Sequence, residues 1–398
     1  MPDDAPRSPR RHAPLLVIFF TVLLDLLGFG MVLPLLPFYA QEFGAHPFGV
    51  ALLFASFSLA QFLFAPLWGR LSDRVGRRPV LLASIVGAVA AYALFALARS
   101  FAVLLIARTA SGLFAANYSI AQAYIADVTR PDERAKGMGL LGAAFGLGFV
   151  LGPVLGGVMG KLGYAAVPAA AGVLALINLL LAYFLLPESL PPEKRRRPDE
   201  RWLSRATLRR ATENRPVAGL MLLYFLVIFA FSNMEATLGL FVEKRYSFGF
   251  FATAWLFAFL GVVMVIVQGG LLGRLVQRFG ERRLVLAGIA FMALGLFFLP
   301  VGARLVLLGV TTALLSVGMG LHNPSTLGLI SRMTEEHRQG GTLGVTRSLG
   351  ALARGIGPLW GGWAFARIGP DWPFWSAAGL MALALAVAVP ILRQVRTG

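Results

Sequence analysis

Titratable side chains are scarce in the long apolar runs of this sequence, and those that occur there are the first candidates for chemistry. Asp25, Glu235 and His322 each stand inside such a run. A charge deep in an apolar phase costs roughly 2.5–3.5 kcal/mol or more, which indicates that a charge kept there has a function. A buried carboxyl group favours its neutral form, and histidine can change charge near neutral pH. All three residues are therefore candidates to carry a proton.

Asp25 is the strongest of these candidates, because it lies about 15 Å into its run at a helical rise of about 1.5 Å per residue. Its alternative role is a structural ion pair with Arg108 or Arg354. Glu235 stands nearer the end of its run, where it could reach water. His322 could instead be a hydrogen-bonded structural residue.

Other polar side chains in the apolar runs could line a substrate cavity. Arg354 could neutralise Asp25 or bind an anionic substrate, and the sequence leaves both roles open. Arg347, in the same run, has no assigned role. The cavity candidates are Gln61, Arg108, Asn117, Asn233, Gln268, Asn323 and Arg354.

The elements that must position these residues are transmembrane helices. Only 14% of the residues are charged, against about 25% in soluble domains, and the mean hydropathy is +0.73. A span needs about 20 mostly apolar residues. The sequence predicts twelve spans: 14–40, 48–68, 79–98, 101–126, 137–160, 165–187, 217–242, 249–273, 282–300, 304–331, 341–366 and 371–392. The chain has no cysteine, which excludes disulfides and thiolate chemistry.

The basic residues fix the predicted orientation of these spans. Of the 36 Lys and Arg residues, 27 fall in the tails and alternate loops on one side, and 6 fall in the opposite loops. Because cytoplasmic loops carry the excess of Lys and Arg, both termini are predicted to be cytoplasmic. The N-terminal apolar run is too long for a signal peptide and lacks a small-residue cleavage site, so it is predicted to be retained as a span.

A long polar stretch divides the spans into two sets of six. The predicted organisation is a tail at 1–13, a six-helix bundle at 14–187, a cytoplasmic linker at 188–216, a second bundle at 217–393 and a tail at 394–398. Trp202, Ala206, Arg209 and Arg210 are spaced for a short amphipathic helix on the membrane surface. A disordered basic linker is the alternative.

The two halves resemble each other in sequence. Shifted by 204 residues, Gly69–Val80 matches Gly273–Leu284 at six of twelve positions. A shift of 205 lays Gly152, Pro153, Gly156 and Gly157 on glycines and a proline of the second half, and Asn117 falls on Asn323 at 206. Parallel six-span repeats are an architecture of secondary transporters, with the substrate site between the halves.

Three motifs resemble those of the major facilitator superfamily, and within it the twelve-span drug:proton antiporters, over about residues 14–393. "GRLSDRVGRRPV" at 69–80 is similar to the superfamily signature between spans two and three. "LGFGMVLPLLP" at 27–37 resembles the first-span pattern, and "GFVLGPVLGG" at 148–157 resembles the fifth-span antiporter pattern. The fourth-span pattern is partial, because Ser111 and Phe114 depart from it. The implied fold is an all-α polytopic membrane protein with two six-helix repeats.

The resemblance implies roles for two of these motifs. In the first, Asp73 is implied to latch the halves together on the cytoplasmic side in the outward-open state. Asp127 is a candidate partner for the cluster, whose members are Gly69, Asp73, Arg74, Gly76, Arg77, Arg78 and Asp127. The second copy has Gln277 in place of Asp73, and we expect it to lack the charge-paired role. Pure topology, since basic loops orient spans anyway, is the alternative for the first copy.

The fifth-span motif has glycines every four residues, a spacing that lets helices approach closely in lipid, and a proline that bends a helix. The resemblance implies a tight contact between the halves that blocks leak. Ordinary small-residue packing is the alternative. The motif residues are Gly148, Gly152, Pro153, Gly156 and Gly157.

The expected function is proton-coupled export of small amphipathic compounds by alternating access, driven by a proton gradient without a cofactor or metal. The alternative is export or facilitated passage of a specific metabolite, such as a sugar or an organic anion. Tetracycline-efflux proteins resemble this first span, but the acids that they tend to carry in spans three and nine are missing. No HExxH, GxSxG or paired catalytic carboxylates occur in the loops, so no enzyme is expected. We expect a monomer in a bacterial inner membrane that binds small molecules and protons but no nucleic acid.

Overall fold

The computed structural model describes residues 12–130, 133–195, 214–335 and 339–394, and the secondary structure of these residues is entirely helical. The proposed surface helix around Trp202, Ala206, Arg209 and Arg210 lies outside the described residues. The helices of the N-terminal half are α1 (His12–Val32), α2 (Leu36–Glu42), α3 (Pro47–Val75), α4 (Arg77–Ala96), α5 (Phe101–Leu113), α6 (Asn117–Val128), α7 (Arg134–Met159) and α8 (Ala166–Leu185). Those of the C-terminal half are α9 (Arg215–Tyr246), α10 (Phe250–Val265), α11 (Leu272–Phe298), α12 (Leu305–Arg332), α13 (Gln339–Arg367) and α14 (Trp372–Gln394).

Local sequence explains where several helices join or break. The 3₁₀ turn Leu33–Leu35 joins α1 to α2, with prolines at the first helical positions, where a missing N–H costs nothing. The chain departs from α-helix between α5 and α6, so Asn117 begins a helix in the middle of the fourth predicted span. A π-helical segment, Ile266–Leu271, joins α10 to α11.

The predicted spans match these helices closely. Ten helical stretches of the described chain are long and apolar enough to cross a membrane. One of them, Phe250–Phe298, is 49 residues long and contains a turn at Gly280, where φ is +76°. Helix α13 contains Arg347 and Arg354 and is not among the ten. The protein is thus a multi-pass membrane protein, and the count of twelve spans stays a prediction.

The largest buried apolar cluster includes residues of both halves, and a smaller cluster lies within each half. Most of the contact between the halves comes from two helix pairs. In the first half α1 packs on α7 and α8, and in the second α11 packs on α12 and α9 packs on α13. The pairs α3–α13 and α7–α10 join the halves. This places the first helix of each half beside the helices that form the junction.

The bundle has two distinguishable ends. We call the end where residues 188–195 leave α8 the linker end, and it also holds the turns at Gly76 and Gly280. The opposite end, with the connections at Phe43–His46 and Leu97–Ser100, is the far end. Several close contacts between halves lie at the far end. Gln41 Nε2 donates to Glu243 Oε2 at 3.0 Å, and Gly362 packs against Pro47 and Ala51.

Candidate functional site

Asp25 lies within the N-terminal half, where Asn117 holds its carboxylate. Asn117 Nδ2 donates to Asp25 Oδ1 at 2.8 Å, which is possible because the break between α5 and α6 turns Asn117 toward α1. Asn117 is 1% exposed, whereas Asp25 is part-buried. Among the described residues Asp25 forms no ion pair within 4 Å, so the alternative of a structural pair with Arg108 or Arg354 is not present in this conformation.

Arg108 is almost completely enclosed beside this site. It is 2% exposed, and its guanidinium carbon lies 4.2 Å from the centre of the Phe57 ring and 5.5 Å from that of Phe29. Its Nε has no hydrogen-bond partner within the described chain. A cation held on aromatic faces is stabilised by their quadrupoles, and a buried donor left without an acceptor is available to a ligand or a moving side chain.

Glu235 and Arg354 bring charge to the same region from the second half. Both are part-buried, on α9 and α13 respectively. The positive charges of Arg354 and Arg108 act on Glu235. The charges of Asp25 and Arg108 act on Tyr92. The five residues therefore form an electrostatic series that runs from α1 of the first half to α13 of the second. We call it the central charge series.

Two sequence candidates lie inside the C-terminal half rather than in this series. His322 is fully buried, its Nε2 lies 3.2 Å from Thr326 Oγ1, and its backbone packs against Gly288. Asn233 is also fully buried and donates from Nδ2 to the Pro373 carbonyl at 2.8 Å. The contacts of His322 fit the structural role that the sequence left open for it, and Asn233 is bound within the second half.

The remaining cavity candidates make varied contacts. Gln61 donates from Nε2 to the Ala115 carbonyl at 3.1 Å and so holds the break between α5 and α6. Gln268 lies in the π-helical segment, and Asn323 is part-buried on α12. Arg347, which had no assigned role, donates from Nη1 to Gln122 Oε1 at 2.5 Å across the two halves. No feature of the sequence pointed to this last contact.

The turn between α3 and α4, which we call the first turn, is held by ion pairs and by a carboxylate from the end of α8. Arg77 Nη1 lies 2.5 Å from Asp73 Oδ1, and Arg77 Nε lies 2.9 Å from Asp127 Oδ2. Among the residues that the structure describes, Asp73 thus pairs within its own half in this conformation. Asp127 lies in the cluster, as the sequence suggested.

Sequence reasoning missed the residue that closes the first turn. Glu188 accepts backbone hydrogen bonds from Arg77 (2.9 Å), Arg78 (3.2 Å), Ser189 (2.9 Å) and Leu190 (3.0 Å). A carboxylate at a helix N-terminus satisfies free N–H groups and opposes the helix dipole. The available signal was an acid directly after the sixth span, on the same side as a basic turn.

The other members of the first-turn cluster have simpler environments. Gly76 has φ of +118°, a conformation that favours glycine. Arg78 donates from Nη2 to the Tyr183 carbonyl at 2.6 Å. Arg74 is exposed, and a side chain at Gly69 would meet nothing within 4 Å.

The second turn lies at Gly280, where the backbone of α11 departs from helical geometry. Its contacts correct one expectation from the sequence. Gln277 does replace Asp73, but the turn keeps a charge pair: Arg332 Nη2 lies 3.4 Å from Glu281 Oε1. Glu281 aligns with Arg77 at the shift of 204, and Arg332 aligns with Asp127 at 205. The ion pair is therefore kept with its polarity reversed, and the comparison with Asp73 alone missed it.

The fifth-span motif contacts both α1 of its own half and α10 of the other half. Gly148, Gly152 and Gly156 face α1 of the same half, at Leu26, Gly30 and Met31. A Cβ on Gly30 would lie 2.8 Å from the Gly148 carbonyl oxygen, so the two backbones nearly touch. Only Gly157 of the four glycines faces the other half, where it meets Ala254 of α10. Pro153 lies inside α7, which continues to Met159.

The fold and these sites define a membrane transporter built of two similar halves. The family model of the Major Facilitator Superfamily matches residues 18–275 and 269–397. The chain belongs to this family, whose members are membrane transporters, and the resemblance seen in the motifs is confirmed.

Two relatives of known sequence and one solved structure show which members of the family this chain resembles. Tetracycline resistance protein, class C, of Escherichia coli is 35% identical over 351 residues, which cover 87% of this chain and 88% of that protein. Major facilitator superfamily domain-containing protein 10 of Bos taurus is 34% identical over 408 residues, covering 89% of each chain. The crystal structure of the human organic anion transporter MFSD10 (TETRAN) superimposes with a TM-score of 0.73 at 31% identity, over 96% of this chain and 100% of that chain.

Proposed function

We propose that this protein exports small amphipathic compounds in exchange for protons, by alternating access between its two halves. The observation that carries the proposal is the Asp25 carboxylate, which is part-buried, bound by Asn117 and without an ion-pair partner in the described chain. Likeness to tetracycline resistance proteins supports the direction of transport.

The contacts of Asp25 suggest how a proton could alter the first half. The Asn117 amide donates to a carboxylate oxygen, and this bond is strongest when Asp25 is charged. Protonation weakens the bond and removes the negative charge that acts on Tyr92, which in turn interacts with Arg108. Since Arg108 also acts on Glu235, the change reaches the second half through the central charge series. Substrate binding and proton binding would then compete, because both depend on the charges of these residues.

A second candidate substrate class, organic anions, has specific support. Arg108 is buried with a free Nε, and Arg354 adds another cation, so the series can compensate a negative charge on a ligand. The human relative of known structure is described as an organic anion transporter. A panel of matched cationic, neutral and anionic amphiphiles separates the two classes. Anion-selective binding that is lost in Arg354→Gln would favour the second class.

The test of proton coupling is Asp25→Asn in inside-out vesicles with an imposed pH gradient. We expect the variant to lose gradient-driven uptake, because the amide cannot take up a proton, and to keep substrate exchange without a gradient. Asp371→Asn, which changes a carboxylate at the start of α14 away from the central charge series, is the control and should keep driven uptake. Undiminished driven uptake by Asp25→Asn would remove Asp25 from the mechanism.

The same proposal places both termini and the linker end in the cytoplasm of a bacterial inner membrane. It treats the chain as a monomer that needs only the proton gradient. The excess of basic residues in the tails and linker-side loops supports the orientation. Modification of single cysteines, introduced at the two ends of the bundle into this cysteine-free chain, tests it directly in intact cells.

A further inference from the structure

A cavity of about 860 Å³ lies at the far end, outside the central charge series. One wall comes from the first half, where it consists of the segment 43–49 and Phe101. The other wall comes from the second half and includes Lys244, Trp363 and Arg367. The cavity therefore spans the junction of the two halves at the end where they are in close contact.

The charge of this far-end cavity is positive. Lys244 and Arg367 are exposed, His46 adds a third basic group, and no carboxylate is among the described residues that line it. Glu243, the neighbour of Lys244, lies outside the lining and accepts a hydrogen bond from Gln41. Two fixed cations without a lining acid complement a phosphate or another strong anion.

Exposed tryptophans place the cavity at the level of lipid head groups. Trp360 and Trp363 on α13 are 41% and 44% exposed, and Trp372 and Trp375 on α14 are 46% and 38% exposed. Tryptophan is enriched where a membrane protein crosses the membrane–water interface. Trp363 belongs both to this group and to the cavity wall, so the cavity lies where a lipid phosphate would be.

We propose that the far-end cavity binds the phosphate of an anionic phospholipid, with Lys244 and Arg367 as its ligands and Phe48, Phe101 and Trp363 around the glycerol and upper acyl chain. Lys and Arg side chains bind phosphate oxygens through charge-assisted hydrogen bonds, and the aromatic side chains offer apolar contact to the rest of the lipid. Because the walls belong to different halves, the bound lipid holds the far end closed. Opening this end would pull Arg367 and Lys244 away from the segment 43–49 and disrupt the site.

Lipid retention provides the first test. The full chain is reconstituted in nanodiscs of phosphatidylcholine with phosphatidylglycerol, and the lipid that remains bound is measured by native mass spectrometry. We expect Lys244→Gln/Arg367→Gln to retain phosphatidylglycerol about tenfold less well than the parent protein. The matched control is Arg99→Gln/Arg304→Gln, which removes two exposed far-end cations that do not line the cavity and should retain lipid normally. Equal retention by the two double variants would overturn the proposal.

Distance measurement provides the second test and does not depend on substrate or protons. Cysteines at Glu42 and Ile368, both exposed beside the cavity, carry spin labels in an otherwise cysteine-free chain. Phosphatidylglycerol should shift the distance distribution toward its short component in the parent and in Arg99→Gln/Arg304→Gln, but not in Lys244→Gln/Arg367→Gln. Inorganic phosphate added to phosphatidylcholine nanodiscs should have no effect. The same shift with phosphate alone, or a shift that survives in Lys244→Gln/Arg367→Gln, would show that no lipid site exists here.

Discussion

The first and second turns are two copies of one sequence motif. They share a backbone conformation, but the acid and the arginine of the ion pair have exchanged places. Both begin a helix after a glycine with positive φ, +118° at Gly76 and +76° at Gly280. Both join the residue after that glycine to the end of another helix by an ion pair. In the first turn the arginine is on the turn and the acid is on α6. In the second turn the acid is on the turn and the arginine is on α12.

The arginines of the two turns also differ in burial. The Arg77 side chain is 10% exposed and contacts two carboxylates, whereas Arg332 is 71% exposed and contacts one. Glu188 adds a further carboxylate beside Gly76 in the first turn, whereas a Cβ at Gly280 would have no neighbour within 4 Å among the described residues. The backbone conformation is thus common to the repeats, while tight anchoring belongs to the first half alone.

The largest difference is expected for the two arginines. Arg77→Gln leaves Asp73 and Asp127 close together without their shared cation, and we expect it to lower the free energy of unfolding by about 3 kcal/mol. Arg332→Gln, the matched change in the second turn, removes an exposed arginine that makes a single 3.4 Å ion pair, and it should cost only about 1 kcal/mol. Chemical denaturation in detergent micelles measures both. Equal losses would mean that the turns are anchored alike.

A smaller difference is expected for the two glycines. Gly76→Ala should cost about 2 kcal/mol, because alanine avoids this backbone conformation and its methyl group would lie 2.9 Å from the Glu188 carboxyl carbon. Gly280→Ala meets open space and should cost about 1 kcal/mol, from backbone strain alone. The same denaturation assay applies. A larger loss at Gly280 would show that the contact of Glu188 with the first turn is unimportant.

The smallest change in stability is expected when the acid and the arginine of the second turn are exchanged. Glu281→Arg places a cation beside Arg332 and should destabilise the protein by about 1 kcal/mol. Adding Arg332→Glu recreates the polarity of the first turn and should restore stability to within about 0.5 kcal/mol of the parent. If the double variant remained as unstable as Glu281→Arg, the pair would have a role beyond mutual attraction, and its orientation would matter.

Much of the fold could be predicted, because hydropathy over about 20 residues decides whether a helix spans a membrane. The helix bounds follow the apolar runs, and the repeat offset near 204 relates the two halves correctly. The break at Asn117 was not predicted. It interrupts an apolar run without a proline. Its role is visible only in the fold, where it brings Asn117 to Asp25 on a neighbouring helix.

The sequence could predict which residues form the site, but not which residues contact one another there. Asp25 and Arg108 stand out in the sequence because charges are rare in spans, but the Asn117 bond and the Phe57 stacking join distant parts of the chain. Asn233 and His322 look equally polar in the sequence and lie within the second half, since a buried amide or imidazole can be satisfied locally. The glycines at 148, 152 and 156 were predicted to pack closely, but the sequence could not say against which helix.

The position of Glu188 in the chain has a consequence for the order of assembly. It follows the last helix of the first half, and its bonds reach back more than 100 residues to Arg77 and Arg78. The contact can form once Glu188 has left the ribosome, when most of the second half has yet to be synthesised. The first turn can therefore be anchored during synthesis, before the second half completes the shared apolar core.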